Sequence, residues 1–270
     1  MSNSTLSLCI TMYDLDKDLL PRVLESVSKQ TVAPDEIVIV SSGLPSGHLP
    51  HTKYPYLVVA GKNIPLHTVN STQRVDSASA RNIGLAAAHK DIVQFFDVDD
   101  YMHPHFLNIV KGIFSQTACD FVLPTYILGD VQYLRLPDSE KDRRMKEVAS
   151  LENNFSHLFD YKNIVDLTWS DEHDHVRGDF PETTPHASAN HPLACGPLAV
   201  RTHLLREIRY LRWCSEDREM VRHLLCKDHR KGKSYNFPLM TYYPAGLSGR
   251  KHGLGTPSIW GNTLPSFATS

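Results

Sequence analysis

Residues 91–100 read Asp-Ile-Val-Gln-Phe-Phe-Asp-Val-Asp-Asp, an apolar run followed by three carboxylates within four residues, Asp97, Asp99 and Asp100. The run Asp91–Phe96 has the length and composition of a buried strand in a covered sheet. Carboxylates crowded at the end of such a strand repel one another and lose hydration, and a bound Mg²⁺ or Mn²⁺ relieves both costs. The structural alternative is that Asp99 or Asp100 caps the helix predicted to follow.

Strands and helices alternate on both sides of this stretch. Strands are predicted at Leu6–Met12, Glu36–Val40 and Tyr56–Ala60, and helices at Asp18–Gln30, Ser77–His89 and Pro104–Gln116. Such alternation indicates right-handed β-α-β units and a mainly parallel sheet flanked by helices. Ligands of these sheets bind beyond the carboxyl ends of the strands, so the polar residues that follow each strand are the first candidates for a site.

The second half of the chain is less regular. Long loops are expected over Ser170–Pro192, a strand over Leu193–Val200 and a helix over Ser215–Cys226. The sequence contains no internal repeat and no linker that would divide it. We therefore expect one α/β domain over residues 1–270.

Composition excludes several classes of protein. The 270 residues carry 28 Lys+Arg and 30 Asp+Glu, a formal charge of -2, which does not fit a general nucleic-acid binder. Five cysteines, an odd number without a Cys-x-x-Cys pair, indicate reduced thiols in a cytoplasmic protein. No basic stretch precedes an apolar run at the N-terminus, and no run approaches about 18 apolar residues, so neither a signal peptide nor a transmembrane segment is expected.

Four stretches in the first 115 residues have the order and spacing of a known family: Leu6–Tyr13 (Leu-Ser-Leu-Cys-Ile-Thr-Met-Tyr), Glu36–Val40, Ala80–Leu85 (Ala-Arg-Asn-Ile-Gly-Leu) and Asp97–Asp100. Together they resemble the family 2 glycosyltransferases of the GT-A fold. The resemblance implies a nucleotide-sugar-binding half over residues 1–115. It also implies an acceptor-side half over residues 116–270, with long loops and a C-terminal tail.

The same resemblance implies a metal-dependent transfer of a sugar, with inversion, from a nucleoside diphosphate sugar to a carbohydrate or glycoconjugate hydroxyl. Mn²⁺ or Mg²⁺ would be held by Asp99. The residues implied in donor binding are Thr11, Tyr13, Ser41, Arg81, Asp97, Val98 and Asp99. One departure concerns the base: the family's second strand usually ends in an Asp that contacts uracil, whereas Ser41 and Ser42 follow Val40 here. The identity of the base stays open.

Two later stretches are similar to the family's acceptor side. Cys195–Val200 resembles its strand, and Cys214–Glu219 resembles its acidic motif at a helix start. An inverting transfer needs a carboxylate to accept the proton of the acceptor hydroxyl, and Asp217 is the first candidate for this base, with Glu216 next. The alternative is that both acids only complement the helix dipole.

A glycine-flanked basic stretch, Ser248–Gly253, follows the acidic motif. It supplies Arg250 and Lys251 for the donor's diphosphate and His252 as a further metal ligand, by analogy with GT-A enzymes that use a late histidine. The alternative is a solvated tail.

Two other clusters have simpler interpretations. Asp171–His175, with His186 and His191, matches no zinc-binding spacing and is predicted to be a polar loop. A basic run could contact an anionic membrane surface or form a solvated helix end; its residues are Lys227, Arg230, Lys231 and Lys233.

The sequence gives less support to two other functions. A nucleotidyltransferase that makes nucleotide sugars usually has a Gly-rich turn with Arg and Lys after its first strand, and Thr11–Leu15 has neither. A catalytically dead nucleotide-sugar-binding module does not need the acids at 97, 99 and 217.

Overall fold

The residues that the structure describes form a mixed sheet of eleven strands. The computed structural model describes residues 4–13, 17–43, 55–128, 163–179, 193, 195–210 and 216–242. The strands are β1 (Leu6–Tyr13), β2 (Glu36–Ser42), β3 (Tyr56–Val59), β4 (Lys62–Ser71), β5 (Ile92–Asp97), β6 (Tyr101–Met102), β7 (Phe121–Leu128), β8 (Ile164–Ser170), β9 (His175–Gly178), β10 (Ala199–Arg201) and β11 (Gly232–Tyr242). The helices are α1 (Leu20–Ser28), α2 (Ser77–Ala87), α3 (Phe106–Gln116), α4 (Thr202–Ile208) and α5 (Glu216–Arg222), and a π-helical turn (His223–Lys227) continues α5.

The strands lie in the order β3-β4-β2-β1-β5-β10-β7-β11-β8-β9, and β6 pairs with β11. Pairing is parallel from β4 through β2 and β1 to β5, as predicted for the first half of the chain. Beyond β5 the pairing is antiparallel, apart from β7 and β11. The parallel block therefore covers only part of the sheet. In the described second half, β8 and β9 form a hairpin, whereas β10 and β11 pair with strands that are distant in sequence.

Strand β1 shows how the two faces of the sheet are covered. Leu6, Leu8 and Ile10 belong to the apolar cluster that includes α1 and α3, whereas Cys9 belongs to the cluster that includes α2, α4 and α5. This alternation follows from the two-residue period of a strand. Thr11 is two residues beyond Cys9, so it points to the α2 face.

Helix α2 lies unusually close to β1. Asp76 caps its start by accepting a hydrogen bond from the Ser79 backbone N–H at 2.7 Å. A β-carbon on Gly84 would lie 2.1 Å from the Cys9 Sγ and 3.1 Å from a Val40 methyl group. Glycine is therefore required at this contact. Because Gly84 has no side chain, α2 packs directly against the sheet.

The predicted elements of the first half are confirmed with small changes at their ends. The strand predicted at Tyr56–Ala60 is Tyr56–Val59, and it forms a hairpin with β4, which was not predicted. Ala60 and Gly61 make the turn with φ values of 48° and 73°.

The second half differs more from the prediction. The strand expected over Leu193–Val200 is only Ala199–Arg201, because Cys195–Leu198 forms a turn that is closed by a bond from the Leu198 N–H to the Gly196 carbonyl at 2.9 Å. The expected long loops over Ser170–Pro192 contain β9, and the part from residue 180 to 192 lies outside the described residues.

Cys9, Cys119, Cys195 and Cys226 are free thiols, as predicted, and Cys214 lies outside the described residues. Within the ranges that the structure describes, no helix is long and apolar enough to cross a membrane.

Substituting Gly84→Ala is expected to lower the free energy of unfolding by about 1–3 kcal/mol, the usual cost of overpacking a core. We expect this cost to outweigh the roughly 1 kcal/mol that alanine adds in a helix interior, because the β-carbon would overlap the fully buried Cys9 Sγ. Urea denaturation measures the change, with the exposed Ala86→Ser as control. The double variant Cys9→Ala/Gly84→Ala should recover most of the loss; a single Gly84→Ala variant as stable as the wild type would contradict the close contact.

Candidate active site

A buried arginine, Arg81, connects two carboxylates that come from distant parts of the chain. Its Nη1 donates to the Glu216 Oε1 at 2.5 Å, and its Nη2 lies 3.3 Å from both carboxylate oxygens of Asp97. The Arg81 side chain is 4% exposed, against 13% for Glu216 and 33% for Asp97. A buried guanidinium is stable only when such partners compensate its charge, so this arrangement fixes β5 and α5 relative to α2.

Asp97 and Thr11 lie side by side at the carboxyl ends of two parallel strands. Thr11 and Asp97 are register partners of β1 and β5, and the Thr11 hydroxyl donates to the Asp97 Oδ1 at 3.2 Å. Both side chains point to the α2 face. The structure therefore brings together Thr11, Arg81 and Asp97, three of the predicted donor-binding residues, at the edge where ligands of such sheets bind.

The two candidate bases at the start of α5 have different environments. The Glu216 carboxylate accepts the short hydrogen bond from Arg81. The Asp217 carboxylate is half-buried, and its Oδ1 accepts a bond from the Arg218 backbone N–H at 2.7 Å. One oxygen of Asp217 thus accepts a backbone hydrogen bond, whereas Glu216 is held in an ion pair.

Gly196 lies over this group of charges. A β-carbon at this residue would be 3.0 Å from the Asp97 Oδ2, 3.3 Å from the Arg81 Nη2 and 3.6 Å from the Asp217 Oδ2. The two carboxylate oxygens are therefore no farther apart than the sum of 3.0 and 3.6 Å. The turn that carries Gly196 is tied to β5, since the Gln94 amide donates to the Pro197 carbonyl at 2.8 Å.

The charges of the cluster shift the pKa values of its members. Burial alone would lower the pKa of Arg81, but the neighbouring Asp97, Tyr210 and Glu216 outweigh it and raise the pKa, so the guanidinium stays protonated. Burial, followed by the charge of Asp217, raises the pKa of the Cys195 thiol to about 12. Burial also raises the pKa of the Tyr210 phenol.

The residues that follow Asp97 in the acidic motif, 98–100, differ in their burial and contacts. Val98 is buried in the apolar cluster on the α1 side of the sheet. Asp99 is half-buried, and its backbone carbonyl accepts a bond from the Arg22 guanidinium at 3.3 Å. Asp100 is buried, and its N–H bonds to the Asp97 carbonyl at 3.2 Å. The turn after β5 therefore leaves Asp97 and Asp99 as its two partly accessible carboxylates.

Two other predicted donor-binding residues lie at the ends of β1 and β2. Tyr13 is half-buried; burial raises the pKa of its phenol to about 12, and the Arg74 guanidinium stands 5.2 Å from its ring centroid. Ser41 is fully buried, pairs in register with Met12 and donates to the Asn70 side chain at 2.6 Å. It points away from the face that carries Thr11, so the structure does not bring it to the cluster, and its role at the base stays a prediction.

Several predicted site residues lie outside the described residues: Arg250, Lys251, His252 and the predicted helix cap Ser215. Their roles stay predictions. Among the residues that the structure does describe, no three or more His, Cys, Asp or Glu side chains form a group able to hold a metal ion alone. In the cluster predicted to be a polar loop, His173 and His175 stack with ring centroids 5.6 Å apart at the exposed turn between β8 and β9.

Sequence reasoning missed three residues of the cluster. Gly196 lies in the stretch Cys195–Val200 and Asn82 in Ala80–Leu85, but the sequence alone assigned neither residue a role. A glycine beside a predicted site is nevertheless a known sign of close backbone approach. Tyr210, whose ring lies 5.6 Å from the Arg81 guanidinium carbon, carried no local signal.

Known proteins share part of this sequence and its fold. The sequence matches the family described as Glycosyl transferase family 2 over residues 7–173. The uncharacterized glycosyltransferase YwdF of Bacillus subtilis (strain 168) is 35% identical over 104 residues, which make up 38% of this chain and 35% of YwdF. This chain thus spans about a third of that curated relative.

Solved structures share the fold at low identity. TarS 1-349 of S. aureus in complex with UDP-GlcNAc superposes with a TM-score of 0.58 and 15% identity, over 88% of this chain and 58% of TarS. The mannosyltransferase PcManGT from Pyrobaculum calidifontis, in complex with GDP-Man and Mn²⁺, gives 0.51 and 16%, over 88% and 56%. This chain spans less than two thirds of either. The predicted GT-A fold is confirmed.

Replacing Asp217 with Asn should speed the alkylation of Cys195. The negative charge of Asp217 raises the pKa of this thiol, so its removal increases the thiolate fraction at pH 8.5 and the rate with iodoacetamide by about two- to ten-fold. Mass spectrometry of the Cys195 peptide gives the rate, and the exposed Cys226 serves as internal control. Equal rates in wild type and variant would show that Asp217 does not face Cys195.

Proposed function

We propose that this chain, which belongs to glycosyl transferase family 2, transfers a sugar from a nucleoside diphosphate sugar to the hydroxyl of a carbohydrate or glycoconjugate acceptor. The proposed reaction depends on Mn²⁺ or Mg²⁺ and inverts the anomeric carbon. The observation that carries the proposal is the group of Asp97, Arg81 and Asp217 within 3.6 Å of the β-carbon position of Gly196.

In this proposal the carboxylates of Asp97 and Asp217 have separate tasks. Asp97, at the end of β5 beside Thr11, faces the donor. Asp217, at the start of α5, accepts the proton of the acceptor hydroxyl. As that proton leaves, the acceptor oxygen forms its bond to the anomeric carbon from the opposite side, and the bond to the diphosphate breaks with its electron pair on the leaving oxygen. This single displacement is what inverts the carbon.

Arg81 supports this division of tasks. Its charge compensates Asp97 and Glu216, which reduces the repulsion that three neighbouring carboxylates would otherwise exert. Because Glu216 is engaged, Asp217 is our candidate for the base. The charges that would meet the departing diphosphate are Arg250 and Lys251, as the sequence predicts.

The residues at the end of β5 fit a divalent cation. Asp97 is one-third exposed and Asp99 is half-buried, and both offer hard carboxylate oxygens. Mg²⁺ is commonly held by one or two carboxylates together with substrate phosphates, so a larger protein cage is not needed. We propose Asp99 as the main ligand, with His252 as a further one. Such a cation supplies positive charge that stabilises a departing diphosphate.

The donor sugar and base are to be found by experiment. The neighbours suggest two probes, since TarS is described with UDP-GlcNAc and PcManGT with GDP-Man. Thermal stabilisation by each nucleotide sugar, with and without Mn²⁺, would select the probe for kinetics.

The decisive test is the release of UDP or GDP from the selected nucleotide sugar, with water in place of the acceptor. Asp217→Asn is expected to lower the rate by about 10²–10⁴-fold, the usual contribution of general base catalysis, without weakening nucleotide binding. Asp99→Ala and EDTA should each abolish metal-dependent release. Glu219→Gln, which neutralises another acid of the same helix that pairs with Arg222 at 3.9 Å, is the matched control and should keep the wild-type rate.

Two results would overturn the proposal. Saturable binding of the nucleotide sugar without release of UDP or GDP would indicate a binding module. Full activity in EDTA, or a wild-type rate for Asp217→Asn, would exclude the proposed metal or base.

A further inference from the structure

We propose that Asn82 is a positioning residue for Asp217, acting through Tyr210 and Arg81. This inference rests on the proposed function, because it assigns Asn82 a role only if Asp217 is the base. Asn82 and Arg81 are consecutive residues of α2, and they hold Tyr210 and Glu216, which stand on either side of residues 211–215.

The first step is a two-sided contact between Asn82 and a backbone far away in sequence. The Asn82 Nδ2 donates to the Tyr210 carbonyl at 2.8 Å, and the Tyr210 N–H donates to the Asn82 Oδ1 at 2.8 Å. One side-chain amide thus satisfies both backbone groups of one residue, as a neighbouring strand would. Two such bonds fix both the position and the orientation of the Tyr210 backbone.

The second step is the conformation of the preceding residue. Arg209 ends α4 with φ 58° and ψ 152°, a region that residues with a β-carbon rarely adopt. Such a conformation persists where the surroundings hold it. The two bonds from Asn82 to the next residue, Tyr210, are such a constraint.

The third step runs from Tyr210 to Asp217. The Tyr210 ring is fully buried, packs edge-on against Phe95 with centroids 5.4 Å apart, and lies 5.6 Å from the Arg81 guanidinium carbon. Arg81 in turn holds Glu216, the neighbour of Asp217. Asn82 is therefore linked to the proposed base through the backbone and ring of Tyr210, the Arg81 guanidinium and Glu216, the chain neighbour of Asp217. The other terminal nitrogen of Arg81 reaches Asp97.

The consequence is specific to the chemical step. Loss of the Asn82 amide should let Tyr210, Arg81 and Glu216 relax, and so displace Asp217 relative to Asp97. Small displacements of a catalytic group reduce turnover steeply. Donor binding should change little, since Asp97, which faces the donor in the proposed function, is also held by the Thr11 hydroxyl.

The test compares Asn82→Ala with the matched control Thr202→Val. Thr202 also donates a side-chain hydrogen bond to a backbone carbonyl across the two halves of the chain, to Lys90 at 2.7 Å, but it is not part of the cluster. We expect Asn82→Ala to lower kcat for the release of UDP from UDP-GlcNAc, or of GDP from GDP-mannose, about ten-fold or more, with unchanged KM. Thr202→Val should keep the wild-type kcat at a similar loss of Tm. Asn82→Asp, which retains the acceptor for the Tyr210 N–H, provides a second variant should the alanine variant fold poorly, and we expect it to fall between alanine and the wild type.

A second readout does not depend on turnover. If Asp217 moves, the effect of its charge on the pKa of the Cys195 thiol changes. The alkylation rate of Cys195 should therefore differ from the wild type in Asn82→Ala and stay unchanged in Thr202→Val. Unchanged alkylation and unchanged kcat in Asn82→Ala would overturn the inference, as would a raised KM with unaltered kcat.

A double-mutant cycle separates this inference from the proposed function. If Asn82 acts only through Asp217, Asn82→Ala should cause no further loss in the Asp217→Asn background. Full additivity would overturn the positioning role but leave Asp217 as base. A wild-type rate for Asp217→Asn would overturn the proposed function, and with it this inference.

Discussion

The guanidinium of Arg81 is the interaction on which the arrangement of the site depends. It lies in the interior between Asp97 at the end of β5 and Glu216 at the start of α5. Removing one partner of a buried ion pair leaves an uncompensated charge, which costs about 3–5 kcal/mol in typical proteins. Without Arg81, neither the carboxylates of Asp97 and Asp217 beside Gly196 nor that of Glu216 would have an opposing charge from this residue. The ion pairs therefore hold α5 in place. They also engage Glu216, which is why the proposed function assigns the base to Asp217.

Backbone contacts around Arg81 make this bridge geometrically feasible. Gly84 allows α2 to approach β1 closely, which brings Arg81 within reach of the sheet edge. The turn at Gly196 then covers the cluster, held by the Gln94 amide. Both glycines serve close approach, one between a helix and a strand and the other between a turn and three charged groups. The GT-A sheet places the carboxyl ends of β1 and β5 side by side, and these contacts assemble the site there.

The first half of the fold was predictable from sequence, because its strands and helices are short-range patterns. Runs such as Ile37–Val40 are apolar throughout, as is typical of strands covered on both faces. The unpredicted strands β7 and β11 carry Pro124 and Pro238 within them, and proline normally argues against a strand interior. At the site, the carboxylates and Arg81 were identified from motif order, but their partners were not: the Arg81–Glu216 contact joins residues 135 positions apart, and the Asn82–Tyr210 contact joins residues 128 apart. Only the tertiary fold creates such pairs.

The family resemblance implies that Arg81 binds the donor, whereas its ion pairs lead us to propose that it is an internal bridge between Asp97 and Glu216. A crystal structure of the chain with Mn²⁺ and whichever of UDP or GDP binds tests this proposal. We expect the Arg81 Nη1 to remain bonded to Glu216, with the diphosphate on the Asp99 side and not in contact with Arg81. A guanidinium turned outward onto the diphosphate, with Glu216 released, would show that Arg81 is a donor ligand instead.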